Sequence, residues 1–372
     1  MSARVRRRTS DPRSGRMVAQ AWLASRGLIV LMALLLALLR HADPFELANH
    51  WDALHYGALA EKGYLDDPKR MAFFPGLPAL LALGLWLKVP YVVTGVMLAL
   101  VGSALAAAAL NRLAGPWGAI AWLFAPTAVF TTVPYTESLF CAAAFWAWER
   151  AHAGRWLPAV VLTALACTLR VSGLFLIGAL FVMILTTPRT SWSARLRRSA
   201  LLLIPAAVLF GYIGYLYSLT GSWTAWFTAQ STGWVRGFTW PWDSFAHTIP
   251  AMQIDMYPDR PEVHWVFRGE MVSMALGLVV TLWCLTRRMW AEASWVGVQV
   301  LAFSLSYWFF SVNRAILLWF PLWMMLAQWG TWQPRWRWLR VTHRVVVVLL
   351  FAASIGLMLV WCWLFFTQRW AS

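Results

Sequence analysis

The residues with the clearest capacity for chemistry lie between Asn49 and Gly76, directly after the first long apolar run. This segment reads N-H-W-D-A-L-H-Y-G-A-L-A-E-K-G-Y and then L-D-D-P-K-R-M-A-F-F-P-G. The chain has only 15 acidic residues, and several fall in or just before the segment: Asp43, Glu46, Asp52, Glu61, Asp66 and Asp67. A general base is an ionised carboxylate that is held in place. We therefore interpret the segment as one wall of an active site, with Asp52 at its centre.

The spacing of three residues in this segment suits a helix that lies on the membrane surface. A helix over Asn49–Ala60 places Asp52, His55 and Tyr56 on one face, because residues three and four apart are neighbours. Asp52 then falls in the first turn, where the helix dipole favours the ionised carboxylate, and Gly63 is a suitable C-cap. Two interpretations stay open: Asp52 is a general base, or it stabilises the first turn while its two neighbours anchor the helix at the interface.

Three further charged residues, Glu137, Arg170 and Arg314, are predicted to lie near the outer membrane surface. Ionisable groups at such depths are costly and usually face a cavity or one another. The planar guanidinium of arginine suits bidentate binding of phosphate. The alternative is a structural Glu137–Arg170 pair, with Arg314 extending toward the membrane surface.

The composition indicates what kind of protein must position these residues. Of the 372 residues, 60% are hydrophobic and 12% are charged, and the mean hydropathy is +0.60. A soluble domain carries about 25% charged residues, and several apolar runs here approach the ~20 residues needed to cross a bilayer. Helices satisfy their own backbone hydrogen bonds in lipid. The sequence therefore predicts an all-α polytopic membrane protein.

The basic residues, which give a net charge of +16, form short clusters between the apolar runs. This is the pattern of cytoplasmic loops under the positive-inside rule, and nucleic-acid binding is not expected, because no basic stripe lies on a soluble module. The four cysteines lie in apolar segments without paired spacing, which argues against a disulfide framework or a zinc site. Asp66 and Asp67 belong to a turn sequence, D-D-P, and no metal or other cofactor is expected.

The positions of the arginine clusters predict the topology. Residues 1–17 are expected to form a disordered basic cytoplasmic arm, and residues 18–372 a single transmembrane domain of about eleven helices. Met71–Leu87 is short and contains prolines, so we expect it to be re-entrant; if it crossed, the later arginine clusters would move outside. The N-terminus is then cytoplasmic, and the loops at 41–90 and 220–268 are extracytoplasmic. Separate spans are predicted at Tyr91–Leu110, Trp117–Val133 and Met271–Leu285, among others.

Five stretches, in order, resemble one known family. They are W-D-A-L-H-Y-G-A-L-A-E-K-G-Y with A-F-F-P-G-L-P, A-P-T-A-V-F with P-Y-T-E-S-L-F, A-L-A-C-T-L-R-V-S-G-L, Q-S-T-G-W with F-T-W-P-W, and N-R followed by F-P-L-W. Together they resemble the GPI mannosyltransferase II (PIG-V-like) family and its bacterial relatives, which belong to the GT-C glycosyltransferases. The resemblance covers roughly Phe45 to Leu326.

The resemblance implies a GT-C fold with an acidic residue in the first outer loop as catalytic base. Asp52 matches that acid, and His55 and Tyr56 match its neighbours. Further residues carry over as donor- or acceptor-site residues: Glu137, Arg170, Gln230 and Arg314. The chain departs from the family pattern in having L-R-V-S-G for T-R-x-x-G, and Asn313 where a proline often precedes the late arginine. These departures concern fine specificity more than fold.

The implied activity is transfer of a sugar, mannose by the resemblance, from a polyprenyl-phosphate donor to an acceptor hydroxyl outside the cytoplasm. In this hypothesis Asp52 deprotonates the acceptor, Arg314 with Arg170 holds the phosphate, and the anomeric centre is inverted. The acceptor is a glycolipid, a lipoglycan or a protein, reached within the membrane lipids. The Ala- and Arg-rich composition suggests a bacterial plasma membrane. The alternative is a non-catalytic membrane protein of envelope assembly that binds a lipid phosphate.

Overall fold

The chain folds almost entirely into helices in a computed structural model that describes residues 12–371. Seventeen α-helices follow one another over these residues: α1 Pro12–Arg40, α2 Pro44–Leu47, α3 Asp52–Lys62, α4 Gly76–Trp86, α5 Tyr91–Leu123, α6 Glu137–His152, α7 Trp156–Cys167, α8 Ser172–Thr186, α9 Trp192–Leu201, α10 Leu203–Thr220, α11 Ala225–Trp234, α12 Pro241–Ala251, α13 Glu262–Thr286, α14 Trp290–Ser304, α15 Val312–Ala315, α16 Phe320–Gly330 and α17 Arg337–Phe366. Short 3-10 turns lie at Pro68–Ala72, Ala128–Thr131, Ile254–Met256 and Ile316–Leu318. The predicted all-α class is confirmed for the described residues.

Five helical stretches are long and apolar enough to cross a membrane: Pro12–Arg40, Tyr91–Leu123, Trp192–Thr220, Glu262–Thr286 and Arg337–Phe366. They confirm that this is an integral membrane protein. The predicted total of eleven crossings, and the sidedness, stay predictions. Helix α4 has 11 residues, or about 16 Å at 1.5 Å per residue, which is about half of a ~30 Å hydrocarbon core. The predicted re-entrance of Met71–Leu87 likewise stays a prediction.

Two predicted boundaries are wrong. Helix α1 begins at Pro12, a residue suited to the first helical position, so residues 12–17 are helical rather than disordered; residues 1–11 lie outside the described part of the chain. The stretch Tyr91–Leu123 consists of two helices, because Gly115, with φ +79° and ψ 175°, is not helical and separates them. The predicted separation of Tyr91–Leu110 from Trp117–Val133 is therefore present, but the second helix ends at Leu123 rather than at Val133. Helix α13 begins at Glu262, within the predicted extracytoplasmic loop at 220–268, and the bounds of that loop stay a prediction.

The segment Phe124–Thr136, here called the buried connector, is an irregular stretch at the centre of the protein. Every residue in it except Pro126 is buried. Irregular backbone at membrane depth is tolerated only where protein groups satisfy it. Ser354 Oγ of α17 donates to the Phe124 carbonyl at 2.8 Å, and Thr127 Oγ1 donates to the Asn313 carbonyl at 2.9 Å. The connector is therefore tied to both later parts of the chain.

Arg26 of α1 supplies the remaining ties of the buried connector. Its guanidinium donates to the Leu123 carbonyl at 2.9 Å, to Thr132 Oγ1 at 3.1 Å and to both oxygens of Thr131. Arg26 is only 3% exposed. A buried arginine thus caps the end of α5 and fixes the path of the chain toward Glu137, the first residue of α6.

Candidate active site

Asp52 is the first residue of α3, so its predicted place in the first turn is confirmed, although the helix begins three residues later than the predicted Asn49. Gly63 is the C-cap, as predicted, with φ +75°. The preceding residue, Trp51, has φ +56° and ψ −120°, which is rare for any residue but glycine. The Asp52 side chain caps no backbone N–H of the helix. Instead its own N–H donates to the Tyr135 hydroxyl at 3.1 Å, and that hydroxyl donates to the His50 carbonyl at 3.4 Å. Tyr135 therefore fixes the start of α3 onto the end of the buried connector.

Four side chains that are distant in sequence form a charge cluster: Asp52, Glu137, Arg170 and Arg314. Arg314 Nη1 donates to Asp52 Oδ2 at 2.7 Å, across 262 positions of sequence. Arg314 Nε also lies 3.7 Å from Glu137 Oε1, and Arg170 Nη1 lies 2.8 Å from the same oxygen. The predicted Glu137–Arg170 pair is present. The structure joins it, through Arg314, to Asp52.

Burial makes this cluster electrostatically strong. The Glu137 side chain is fully buried and that of Arg314 is 9% exposed, so Arg314 does not extend to the membrane surface as the alternative interpretation had it. The guanidinium of Arg314 packs over the rings of Phe130 and Tyr135, at 5.2 and 5.3 Å. Burial by itself lowers the pKa of Arg314, but the negative charges of Asp52 and Glu137 outweigh it and raise that pKa. Arg314 is therefore a permanent cation.

The short helix that carries Arg314 is held by Glu270 of α13. The Glu270 carboxylate accepts the backbone N–H of Ser311 at 3.0 Å and that of Asn313 at 2.8 Å. The Asn313 side chain donates to the Val266 carbonyl at 3.0 Å and accepts from Ser273 Oγ at 2.9 Å. A proline at position 313 would lack the N–H that Glu270 binds. Asn313, which departs from the family pattern, therefore has a structural role in this chain, because its backbone N–H binds Glu270.

The two neighbours of Asp52 on α3 face different surroundings. The Tyr56 hydroxyl lies 3.4 Å from Thr136 Oγ1, which accepts a hydrogen bond from Arg170 at 2.9 Å, so Tyr56 borders the charge cluster. His55 stacks on Phe73, with ring centroids 5.0 Å apart, and meets the edge of Trp234 at 5.8 Å. Burial lowers the pKa of His55, so its ring is neutral near pH 7.

Gln230, like His55, is a predicted site residue that forms no hydrogen bond or ion pair with the charge cluster in the described part of the chain. It lies half-buried on α11, one turn before Trp234. Its carbonyl accepts the backbone N–H of Arg236 at 3.3 Å, but its side chain forms no hydrogen bond with the cluster. A substrate-binding role for Gln230 stays a prediction.

A cavity of about 560 Å³ runs along the face of α3 that carries Leu54, His55 and Ala58, and its lining includes none of the four side chains of the charge cluster. Its lining combines aromatic and charged side chains: Trp51, His55, Glu61, Lys62, Arg70 and Tyr91. The indole N–H of Trp51 is buried and has no acceptor among the described residues. A cavity that combines aromatic walls with charged side chains suits a polar, ring-shaped ligand such as a sugar. Within residues 12–371, no three His, Cys, Asp or Glu side chains converge as metal ligands would.

Sequence reasoning missed Tyr135, Thr136 and Glu270. The first two lie inside P-Y-T-E-S, where only the acid drew attention. Glu270 was assigned to the end of a loop before the predicted span at Met271. A helical pattern would have found it, because Glu270, Ser273 and Gly277 recur at helical spacing and share the buried face of α13.

Comparison with known proteins gives one partial similarity. No family model matches the chain. An aligned stretch of 151 residues is 33% identical to GPI alpha-1,6-mannosyltransferase 2 of Mus musculus and 32% identical to that of Homo sapiens. It covers 36% of this chain and only 30% of the length of each relative. The chain is therefore distantly similar, over part of its length, to membrane mannosyltransferases of the PIG-V type.

Proposed function

We propose that this protein is a membrane mannosyltransferase of the GT-C class. It moves mannose from a polyprenyl-phosphate donor to an acceptor hydroxyl, on the extracytoplasmic side of a bacterial plasma membrane, with inversion at the anomeric carbon. The long apolar helices and the similarity to GPI alpha-1,6-mannosyltransferase 2 support this proposal. The similarity to transferases favours it over non-catalytic binding of a lipid phosphate.

The contact between Asp52 and Arg314 carries the proposal. These residues are 262 positions apart, yet the fold brings them to 2.7 Å, beside a buried second carboxylate and a second arginine. Arg314 binds Oδ2 of Asp52, and no described residue donates a hydrogen bond to Oδ1. The side chain is 17% exposed, so Oδ1 is the oxygen available to a ligand. An ionised acid with one unused oxygen is what a general base requires.

The proposed reaction uses Asp52 for the proton and the arginines for the phosphate. The acceptor hydroxyl gives its proton to Asp52, and its oxygen attacks C1 of the mannose. The bond between C1 and the phosphate oxygen breaks, and its electron pair leaves with the polyprenyl phosphate. Attack from the face opposite the leaving group inverts the anomeric centre. Phosphate is a good leaving group, so no second carboxylic acid has to protonate it.

Arg314 is proposed to couple the two halves of this reaction. Before the donor binds, it neutralises Asp52 and lies near Glu137. A donor phosphate competes for the same guanidinium, because charge-assisted bonds from arginine to phosphate and to carboxylate are alike in geometry and strength. Arg170 supports the cluster by compensating Glu137. Fixed positive charge then stabilises the negative charge that develops on the leaving phosphate.

The test is Asp52→Ala in membranes supplied with radiolabelled polyprenyl-phosphate mannose. Loss of a general base is expected to lower mannose transfer about 10²- to 10⁴-fold. Asp243→Ala is the matched control, because Asp243 is also an acid in the first turn of a short helix, α12. It is expected to transfer mannose at the rate of the unmodified protein.

Two outcomes would contradict this proposal. Normal transfer by Asp52→Ala would refute Asp52 as the base. An unmodified protein that binds polyprenyl phosphate but moves no mannose to any membrane acceptor would refute the transferase activity and favour the lipid-phosphate-binding alternative.

A further inference from the structure

Arg236 lies beside the charge cluster, in the segment that joins α11 to α12. This segment is docked onto the chain that leads to Arg314. Phe238 forms an isolated antiparallel bridge with Ser306, and the Thr239 N–H donates to the Leu305 carbonyl at 3.1 Å. The Arg236 guanidinium donates to the Phe310 carbonyl at 3.2 Å and lies over the Phe310 ring at 5.4 Å. Arg236 is thus bound to Phe310, which lies four residues before Arg314 in the sequence.

Arg236 forms no direct ion pair with an acidic side chain in the described part of the chain, although Asp52 and Glu270 lie close enough to offset part of its charge. Arg170 pairs with Glu137 and Arg314 pairs with Asp52, whereas Arg236 forms no salt bridge. Its Nε is buried and has no acceptor there. Burial, followed by the positive charge of Arg314, lowers the pKa of Arg236 to about 10. A desolvated cation beside another cation is unfavourable unless an anion joins it.

The backbone beside Arg236 is held in an uncommon conformation. Val235 has φ +53° and ψ +38°, a left-handed conformation that is an outlier for a β-branched residue. The two other parts of the site share this property: Trp51, next to Asp52, has φ +56°, and Ser311, three residues before Arg314, has φ +65°. Strained residues of this kind persist where the surrounding structure enforces them, and they cluster at functional sites.

We propose that Arg236 binds the phosphate group of the polyprenyl-phosphate donor and is a second phosphate ligand beside Arg314. This inference rests on the proposed function and adds a residue that the sequence analysis did not single out. The Arg236 guanidinium donates one hydrogen bond to the Phe310 carbonyl, and this bond fixes the plane of the group. Its Nε–H has no acceptor among the described residues. Planar, paired donors of this kind match phosphate oxygens.

The pairing of charges explains why the site needs this residue. When Arg314 is occupied by Asp52, a donor phosphate has no uncompensated cation to meet in the charge cluster itself. Arg236 provides one, so the phosphate binds there first and then competes for Arg314. Release of Asp52 follows donor binding rather than preceding it. The ionised base is therefore freed only when a donor is present.

The first experiment measures binding of undecaprenyl phosphate to the purified full-length protein in nanodiscs. Arg236→Gln is expected to weaken binding about 10- to 100-fold, the loss of one charge-assisted contact. Binding of uncharged undecaprenol is expected to be unchanged. Arg260→Gln is the matched control, since Arg260 is an exposed arginine of the same loop and its loss changes the net charge equally. Arg260→Gln is expected to bind undecaprenyl phosphate as the unmodified protein does.

The second experiment uses the unmodified protein and does not depend on the folding of a variant. Phenylglyoxal modifies arginine side chains, and mass spectrometry identifies the modified positions. Undecaprenyl phosphate is expected to protect Arg236 from modification at concentrations where undecaprenol does not. Equal modification with both lipids would overturn the proposal, and so would unchanged undecaprenyl phosphate binding by a folded Arg236→Gln variant.

The two proposals fail in different ways. If the protein binds undecaprenyl phosphate through Arg236 but transfers no mannose, the proposed function fails and the phosphate site stands. If the protein transfers mannose and Arg236→Gln leaves the KM for the donor and the kcat unchanged, the phosphate site fails and the function stands.

Discussion

The two sides of the site are built in opposite ways. One side is the buried connector with the Ser311–Arg314 turn, where nearly every residue is buried and side chains satisfy the irregular backbone. The other side is the second loop, residues 221–261, whose aromatic side chains are largely exposed: Trp223, Phe227, Phe238, Trp240 and Trp242. The connector side contributes Arg314 to the site, and the second loop contributes Arg236.

The difference indicates a division of tasks. Two opposite charges at 2.7 Å need a support whose own polar groups are satisfied, because a shift of an ångström would leave a buried charge unpaired. A surface that meets lipid and substrate gains from loops that can adapt. We therefore expect substitutions on the connector side to lower stability more than substitutions in the second loop, where Arg236 is expected to affect ligand binding.

The largest expected effect comes from Glu270→Ala. The change leaves the backbone N–H groups of Ser311 and Asn313 without their acceptor. Bonds to a buried charged group contribute about 1.5–3 kcal/mol each, so we expect a loss of about 3 to 5 kcal/mol in the free energy of unfolding. Thermal unfolding in detergent, followed by tryptophan fluorescence, measures this loss.

Glu262→Ala supplies the control for Glu270→Ala. Glu262 begins the same helix and pairs with the partly exposed Arg369 at 3.3 Å. Such a pair contributes at most about 1 kcal/mol. Equal losses in the two variants would show that the Arg314 turn does not depend on Glu270.

Arg26→Met is expected to have the next largest effect. The substitution keeps an apolar side chain in α1 but removes the donors to the Leu123 carbonyl and to Thr131 and Thr132. We expect a loss of about 2–4 kcal/mol, because the acceptors of the buried connector lose their partner in lipid. Arg40→Met, on the exposed end of the same helix, should unfold at the temperature of the unmodified protein. A small loss for Arg26→Met would mean that the connector does not depend on this residue.

Gly57→Ala tests how closely α3 must approach its neighbour. A Cβ at Gly57 would clash with the ring of Tyr91, so either that ring or α3 must move. Overpacking of this kind costs about 1–3 kcal/mol, and displacement of Asp52 should also lower mannose transfer. Gly178→Ala in α8 meets nothing within 4 Å and should be neutral or slightly stabilising. Measurements of the unfolding temperature and the transfer rate of both variants test this prediction.

The smallest stability effect is expected for Trp240→Ala in the second loop. Trp240 is 54% exposed and stacks on Trp242 at 5.4 Å. We expect a change of less than about 1 kcal/mol in unfolding free energy. Trp122→Ala should cost about 3–5 kcal/mol, because Trp122 is 1% exposed and donates to the Leu317 carbonyl. A similar loss in both variants would remove the contrast between the two sides of the site.

The parts of this site that the sequence predicted follow from local spacing. The first-turn position of Asp52 and the Gly63 cap depend on residues within one short helix, so both are confirmed. The contact between Asp52 and Arg314 could not be derived from periodicity, because it joins distant elements. The separation of two helices at Gly115 and Pro116 agrees with the two predicted spans, because a glycine–proline pair usually marks a helix end. The end of the second helix at Leu123 was missed, because the apolar run continues into the buried connector.

The conformation of Trp51 has a consequence for how this protein can change over generations. Glycine at position 51 would relieve the local backbone strain at φ +56° and ψ −120°, a relief of the order of 1–3 kcal/mol. The same exchange would remove an indole from the wall of the adjoining cavity and loosen the first turn that carries Asp52. That indole also packs against the hydrophobic core, and lost packing of a tryptophan can cost about 3–5 kcal/mol. The strained backbone is therefore retained because the side chain that it carries contributes more to the fold than the strain costs.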